Sequence, residues 1–157
     1  MGVNGRKGLV FSPMRNQRRA GIAVLVGLCG IAIVAGARLG WVTARGARPA
    51  SGIAGTSLTG LLTWSYKPCQ TFVQSFSFAV IVAGVLVFVG GLLASRLIAG
   101  LFSFLALAAA GLWIGLNASH YSQASLTASD LREGAWLTIA GSIVALIASS
   151  FLRGRRT

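Results

Sequence analysis

The side chains that could support acid–base or metal chemistry lie within one short stretch, His120 to Glu133. The stretch contains the single histidine and both acidic residues of the chain, Asp130 and Glu133. A histidine and a carboxylate can act together as a general base, so a membrane enzyme that uses His120 and Asp130 is one hypothesis. The spacing of the three residues provides no metal-ligand set.

A structural interpretation of the same residues is favoured. Asp130 and Glu133 are spaced i, i+3 before an apolar run, which is typical of a first helical turn, where the helix dipole stabilises negative charge. Ser129 is the expected N-cap, with Arg132 on the solvent side, and His120 is expected to be an interfacial polar residue. We therefore predict no catalytic residue, no cofactor and no metal site.

The two cysteines, Cys29 and Cys69, are predicted to be free thiols. Cys29 lies halfway along the first apolar run, whereas Cys69 precedes the second. Their difference in depth exceeds the ~7 Å limit between the Cα atoms of a disulfide. Cys69 is the one expected to react with a water-soluble reagent.

The elements that must position these residues are apolar and membrane-like. Apolar residues make up 55% of the chain and charged residues 10%, which excludes an ordinary soluble domain. The net charge of +12 comes from basic residues that flank the apolar runs without interleaved aromatics, so we predict no nucleic-acid partner. The fold class expected is an all-α integral membrane protein with one bundle of four transmembrane helices.

The central apolar stretch, Phe72 to Asn117, sets this architecture. The run 72–94 is uncharged and would be ~34 Å long as a helix, enough to cross a ~30 Å hydrocarbon core. A single helix over the whole stretch would exceed any bilayer, so a tight hairpin at Ser95 and Arg96 is predicted. The complete division is a basic tail (1–19), four spans (20–37, 72–94, 97–117 and 134–152), external loops (38–71 and 118–133), a turn (95–96) and a second basic tail (153–157).

The distribution of Lys and Arg predicts the orientation. Nine lie on the side of the two termini and five on the side of the long loops, which favours cytoplasmic termini in the plasma (inner) membrane. The alternative that the first span is a cleaved signal peptide rests on Ala35-Gly36-Ala37. That run is longer than the usual ~7–15 apolar residues, and Arg38 follows directly, so retention is predicted.

The first external loop is predicted to hold a small β-ribbon. From Thr56 to Lys67 the residues alternate with a period of two: Leu58, Gly60, Leu62, Trp64 and Tyr66 share one face, and Leu61 lies on the other with hydroxyl side chains. Residues 41–45 are the candidate antiparallel partner. A two-stranded ribbon is marginal alone, so it would rest on the helix ends, on the second loop or on another protein.

Within the spans, small residues recur at a spacing of four and are predicted to pack the helices on each other. The pairs and ladders are Ala23/Gly27, Ala106/Ala110, Gly111/Gly115 and Gly141/Ala145/Ser149. The four tryptophans Trp41, Trp64, Trp113 and Trp136 all map near the outer boundary and are predicted to be interfacial anchors.

The layout resembles known membrane families in architecture. Four spans with a β-forming first loop resemble the claudins, although Gly60-Leu61-Leu62-Thr63-Trp64 is spaced differently from their signature and Cys69 has no second cysteine beside it. The Ser95-Arg96 hairpin and the segment Arg132 to Gly141 are similar to small actinobacterial envelope proteins. That resemblance implies an accessory subunit of a large complex, such as a lipid importer of the mammalian-cell-entry type.

We therefore expect a non-enzymatic accessory or assembly subunit of a larger envelope complex. The complex expected is a lipid transporter. Its partners would be other integral membrane subunits and the lipid bilayer. The alternative is a self-contained small transporter or lipid-binding protein that uses the outer tryptophans and the basic loop residues. The candidate interface residues are Trp41, Arg45, Arg48, Leu62, Trp64, Tyr66, Gly111, Gly115, Trp136, Gly141 and Ala145.

Overall fold

The computed structural model describes residues 13–44, 51–65, 71–120 and 126–152, whose regular structure is helical. Its α-helices are α1 (Pro13–Gly36), α2 (Leu58–Leu62), α3 (Phe76–Leu92), α4 (Arg96–His120) and α5 (Glu133–Phe151). Single 3-10 turns lie at Ile53–Gly55, Phe72–Gln74 and Ala128–Asp130. Most of the predicted N-terminal tail and all of the C-terminal tail lie outside the described residues.

Three helices are long and apolar enough to span a membrane. They are α4 and α5 over their full lengths and the segment Arg19–Gly36 of α1. α3 is equally apolar but has 17 residues, which is ~26 Å at 1.5 Å per residue and less than a typical hydrocarbon core.

Ser75 explains why α3 is shorter than the run from which it was predicted. Its hydroxyl oxygen accepts a hydrogen bond from Phe78 N at 3.2 Å, so the helix is capped there, as serine commonly does. The preceding residues Phe72–Gln74 form a separate 3-10 turn. The uncharged run 72–94 is therefore divided between a turn and a helix.

The four long helices pack in a ring, in the order α1, α3, α4, α5 and back to α1. Glycine brings the neighbouring helices close: a Cβ placed on Gly30 of α1 would lie 2.6 Å from Phe88 N of α3, and one on Gly91 would lie 2.8 Å from Gly27 N. Alanines fill the interior on the opposite side, where Ala99, Ala106 and Ala110 of α4 and Ala145 and Ala148 of α5 are all buried. Close backbone approach of this kind favours helix association in lipid.

The turn between α3 and α4 closes with two hydrogen bonds that are typical of a helix C-terminus. Ser95 N donates to Gly90 O at 2.8 Å and Ala94 N donates to Gly91 O at 3.0 Å. Ala94 has a φ of 48°, in the left-handed region that glycine usually occupies at this position. At this hairpin end Arg96 is exposed at the start of α4.

The predicted strand from Thr56 to Lys67 is wrong over its described part, because Leu58–Leu62 is helical. Ser57 caps this helix by accepting a hydrogen bond from Gly60 N at 3.0 Å. Leu61, which the alternating pattern placed with the hydroxyl residues, is 4% exposed, whereas Leu62 is 76% exposed. Burial at Leu61 thus follows a helical register, and the described residues contain isolated β-bridges in place of a ribbon.

The extended segment at Trp41 to Thr43 connects the loop that follows α1 with the loop that precedes α5. Val42 bridges Ser51 of its own loop and also Leu131 of the second loop. Thr43 N donates to Asp130 O at 3.0 Å, and Arg132 N donates to Trp41 O at 2.9 Å. These bonds fix the start of α5 against the end of α1.

Candidate functional site

Asp130 lies in the 3-10 turn that leads into α5. Asp130 is buried, and its Oδ2 accepts hydrogen bonds from Thr127 N at 2.9 Å and Thr127 Oγ1 at 2.8 Å. Within the described ranges, no group of three or more His, Cys, Asp or Glu residues could hold a metal ion. Asp130 thus orders the loop that leads into α5.

The predicted N-cap at Ser129 is wrong. α5 begins at Glu133, and Arg132 occupies the N-cap position with extended backbone and no side-chain cap bond. Ser129 instead lies in the preceding 3-10 turn, where its hydroxyl contacts Thr127 Oγ1 at 2.8 Å. Because the β-bridge and hydrogen bonds to the first loop hold the backbone before Arg132 extended, α5 starts later than the spacing of Asp130 and Glu133 predicted.

Two of the four predicted tryptophan anchors are interior residues. Trp41 and Trp113 are both fully buried, and their rings form an edge-to-face pair with centroids 5.2 Å apart. Trp41 Nε1 donates to Gly36 O at 2.9 Å, which satisfies a carbonyl at the end of α1. The prediction of Trp41 as an exposed interface residue is therefore corrected: the loop bridges carry it into the core.

Trp64 is half exposed and is held in an unusual backbone conformation. It follows α2 with a φ of 51°, and Ser65 N donates back to Gly60 O at 2.9 Å. A bulky residue rarely adopts positive φ, because its Cβ crowds the backbone at a cost of about 1–2 kcal/mol. Such strain clusters at functional positions, so it draws attention to the surface that Trp64 forms.

The Trp64 ring lies over α4 beside an open notch. A Cβ placed on Gly115 would be 3.2 Å from Trp64 Cη2, whereas a Cβ on Gly111, one turn earlier, would meet no atom within 4 Å. Leu62, two residues before Trp64, and Leu112, next to Gly111 on α4, are both exposed. We call Leu62, Trp64, Gly111, Leu112 and Gly115 the notch surface.

A second feature is a groove of about 560 Å³ at the start of α5. It is lined by Thr43, Leu131, Arg132, Glu133, Trp136, Leu137 and Ala140. Trp136 is 49% exposed there, and both Arg132 and Glu133 are exposed at the rim. The groove therefore combines an apolar floor with one group of each charge.

The remaining candidate residues fall into two groups. Gly141 and Ala145 are buried; a Cβ on Gly141 would be 3.2 Å from Cys29 O of α1, so these residues pack α5 inside the ring. The ladder therefore packs helices in the described structure. The assignment of Gly141 and Ala145 to a partner or lipid interface stays a prediction. Arg45, Arg48 and Tyr66 lie outside the described residues.

Some residues of these surfaces gave no signal in the sequence. Thr43 and Leu131 line the groove only because the two loops pair, and no spacing along the chain connects them. Asn117 is also buried, and its Oδ1 accepts no hydrogen bond from the residues that the structure describes.

No protein-family model matches this chain, and neither the curated proteins nor the solved structures provide a match.

Proposed function

We propose that the chain is a four-helix integral membrane protein that acts as a non-catalytic subunit of a larger cell-envelope complex. The complex that we propose is a lipid transporter. α3 would complete the fourth crossing together with the apolar turn that precedes it. The termini and the hairpin end would face the cytoplasm, in accordance with the distribution of basic residues.

The observation that supports this proposal is the notch surface. In lipid, helices associate where small residues let backbones approach, and Gly111 leaves its backbone open while Gly27, Gly30 and Gly91 are already used inside the ring. Trp64 stands beside the notch in a strained conformation that stability alone would not select. A transmembrane helix of a partner subunit would fit along α4 under the Trp64 ring.

The test compares variants that open or fill this surface with matched variants elsewhere. Gly111→Leu should fill the notch and lower the yield of co-purifying subunits in mild detergent by roughly tenfold, about 1.4 kcal/mol of association. Gly21→Leu is the control, because a Cβ on Gly21 also meets no atom within 4 Å but lies on α1.

A second pair of variants separates association from stability. Trp64→Gly relieves a positive φ and should leave the protein folded while the partner dissociates. Ala94→Gly relieves the same strain at the hairpin end and should leave the partner bound. A wild-type protein that purifies alone and monodisperse, or a Gly111→Leu variant that retains the same chains as Gly21→Leu, would refute the proposal.

A further inference from the structure

The groove at the start of α5 has two charged groups fixed next to each other at its rim. Arg132 N donates to Trp41 O at 2.9 Å, and Arg132 O accepts from Trp136 N at 3.2 Å, so the backbone of this residue is held on both sides. Its side chain runs past Gly40, where an added Cβ would be 3.6 Å from Arg132 Cδ. Glu133 follows directly and lines the same groove.

Neither charge is neutralised by another side chain in the part of the protein that the structure describes. Arg132 and Glu133 are both exposed, and neither makes an ion pair or a side-chain hydrogen bond with a described residue. The carboxylate also lies in the first turn of α5, where the helix dipole favours negative charge. The rim therefore presents one unpaired cation and one unpaired anion side by side.

Apart from Thr43, the rest of the groove is apolar and leads along α5, one of the three helices that are long enough to span a membrane. Trp136, Leu137 and Ala140 follow the charged pair at helical spacing and all line the groove. Its volume of about 560 Å³ lies within the range of ~300–1,000 Å³ that is typical of small-molecule sites. An amphiphile with its head at the rim and a chain along the helix would match this gradient.

We propose that the groove binds a zwitterionic aminophospholipid of the phosphatidylethanolamine type. Its phosphate would accept charge-assisted hydrogen bonds from the planar Arg132 guanidinium, whose N–H donors can bind two phosphate oxygens at once. Its primary ammonium would donate to the Glu133 carboxylate and lie near the Trp136 ring, which attracts cations. One acyl chain would cover Leu137 and Ala140.

This charge pattern distinguishes the headgroup from the other common lipids. Phosphatidylglycerol offers the phosphate without an ammonium and would leave Glu133 beside an uncompensated negative charge. Phosphatidylcholine carries a quaternary ammonium without N–H donors. The inference concerns a surface separate from the notch at Gly111, so it stands even if no partner subunit binds there.

The experiment measures the lipids retained by the full-length protein. The purified protein is exposed to an equimolar mixture of phosphatidylethanolamine, phosphatidylglycerol and phosphatidylcholine with identical chains, and bound lipid is counted by native mass spectrometry. The wild type should retain phosphatidylethanolamine roughly tenfold over either of the others, equivalent to about 1.4 kcal/mol.

The variants assign that preference to the two charges. Glu133→Gln should abolish the preference over phosphatidylglycerol while phosphatidylglycerol itself is still retained, which also shows that the variant is folded. Arg132→Gln should lower retention of all three lipids. Arg38→Gln removes an exposed arginine at the same end of the ring, outside the groove, and should retain the wild-type profile.

Equal retention of the three lipids by the wild type would overturn the proposal, because it would indicate surface lipid only. The proposal would also be overturned if Arg132→Gln and Arg38→Gln retained the three lipids in the same proportions and amounts. If the Gly111→Leu variant loses a partner subunit but keeps the wild-type lipid profile, the result concerns the notch surface alone. The lipid site in the groove is then unaffected.

Discussion

Trp113 Nε1 donates a hydrogen bond to Thr56 Oγ1 at 3.1 Å, between α4 and the loop that connects α1 with α2, with both residues buried. Thr56 O in turn accepts from Phe76 N at 2.9 Å, at the start of α3. One threonine therefore fastens the loop to two helices at once. The loop is part of the folded core at this point.

Thr56→Val should destabilise the protein, because it keeps the shape of the side chain but leaves the buried Trp113 N–H without an acceptor. The expected loss is about 1–3 kcal/mol in the free energy of unfolding, measured by chemical denaturation in detergent. Thr59→Val, at an exposed position on α2, is the control and should change stability by less than about 0.5 kcal/mol. Equal effects of the two substitutions would contradict the hydrogen bond.

A double-mutant cycle with Trp113→Phe isolates the pair. Trp113→Phe alone creates a cavity, but adding Thr56→Val to it should then cost much less than it does in the wild type, since no donor is left unpaired. Strictly additive effects would show that the two side chains do not interact.

Gly30→Ala should disrupt the contact between α1 and α3. The added Cβ would lie 2.6 Å from Phe88 N and 2.7 Å from Gly84 O, and backbone atoms at that distance cannot move aside without separating the helices. We expect a loss of about 1–3 kcal/mol, as for other overpacked interiors, read as a lower midpoint of thermal unfolding.

Gly21→Ala is the matched control on the same helix. Its Cβ would meet no atom within 4 Å, and alanine is the better helix former by up to about 1 kcal/mol, so stability should be unchanged or higher. The specific expectation is a clear loss of stability for Gly30→Ala and no loss for Gly21→Ala. A stabilising Gly30→Ala would mean that α1 and α3 are farther apart than described.

Ala94→Gly should stabilise the hairpin between α3 and α4. Ala94 has a φ of 48°, where glycine avoids the steric cost of a Cβ, so a gain of about 0.5–1 kcal/mol is expected after the entropy of the unfolded chain is counted. Ala94→Val should have the reverse effect, because β-branched residues tolerate positive φ least. The measurement is the unfolding free energy of the three proteins in one detergent.

The tryptophan fluorescence should divide into two accessible and two protected rings. Trp64 is 52% exposed and Trp136 49%, whereas Trp41 and Trp113 are fully buried. In vesicles with brominated lipid chains, replacing both Trp64 and Trp136 by Phe should remove most of the quenching and retain the emission of the buried pair. Strong quenching in that double variant would show that Trp41 or Trp113 faces lipid.

Hydropathy alone anticipated the long helices, because an uncharged run can avoid exposing backbone polar groups to lipid only by bonding them internally. The structure of the first loop was harder to predict. Alternation in Thr56 to Lys67 was compatible with a strand, but the cap at Ser57 and the burial of Leu61 select a helix. A short apolar run is compatible with the periodicity of a helix and with that of a strand, and tertiary contacts decide which one forms.

The same limit applies to the candidate sites. Gly111 and Gly141 look alike in sequence, yet one faces open space and the other packs against α1, because only the rotation of each helix in the ring assigns a face. Trp41 and Trp136 also look alike, and bridging between the loops buries one and leaves the other at the groove.

Composition and the positions of the basic residues were enough to predict apolar helices with basic flanks, since composition fixes which solvent each segment prefers. Tertiary packing assigns which small residues and tryptophans are interior and which form the notch surface and the groove. The physical reason is that burial depends on the neighbours that the fold supplies: Thr43 and Arg132 line one groove although 88 positions separate them in the chain.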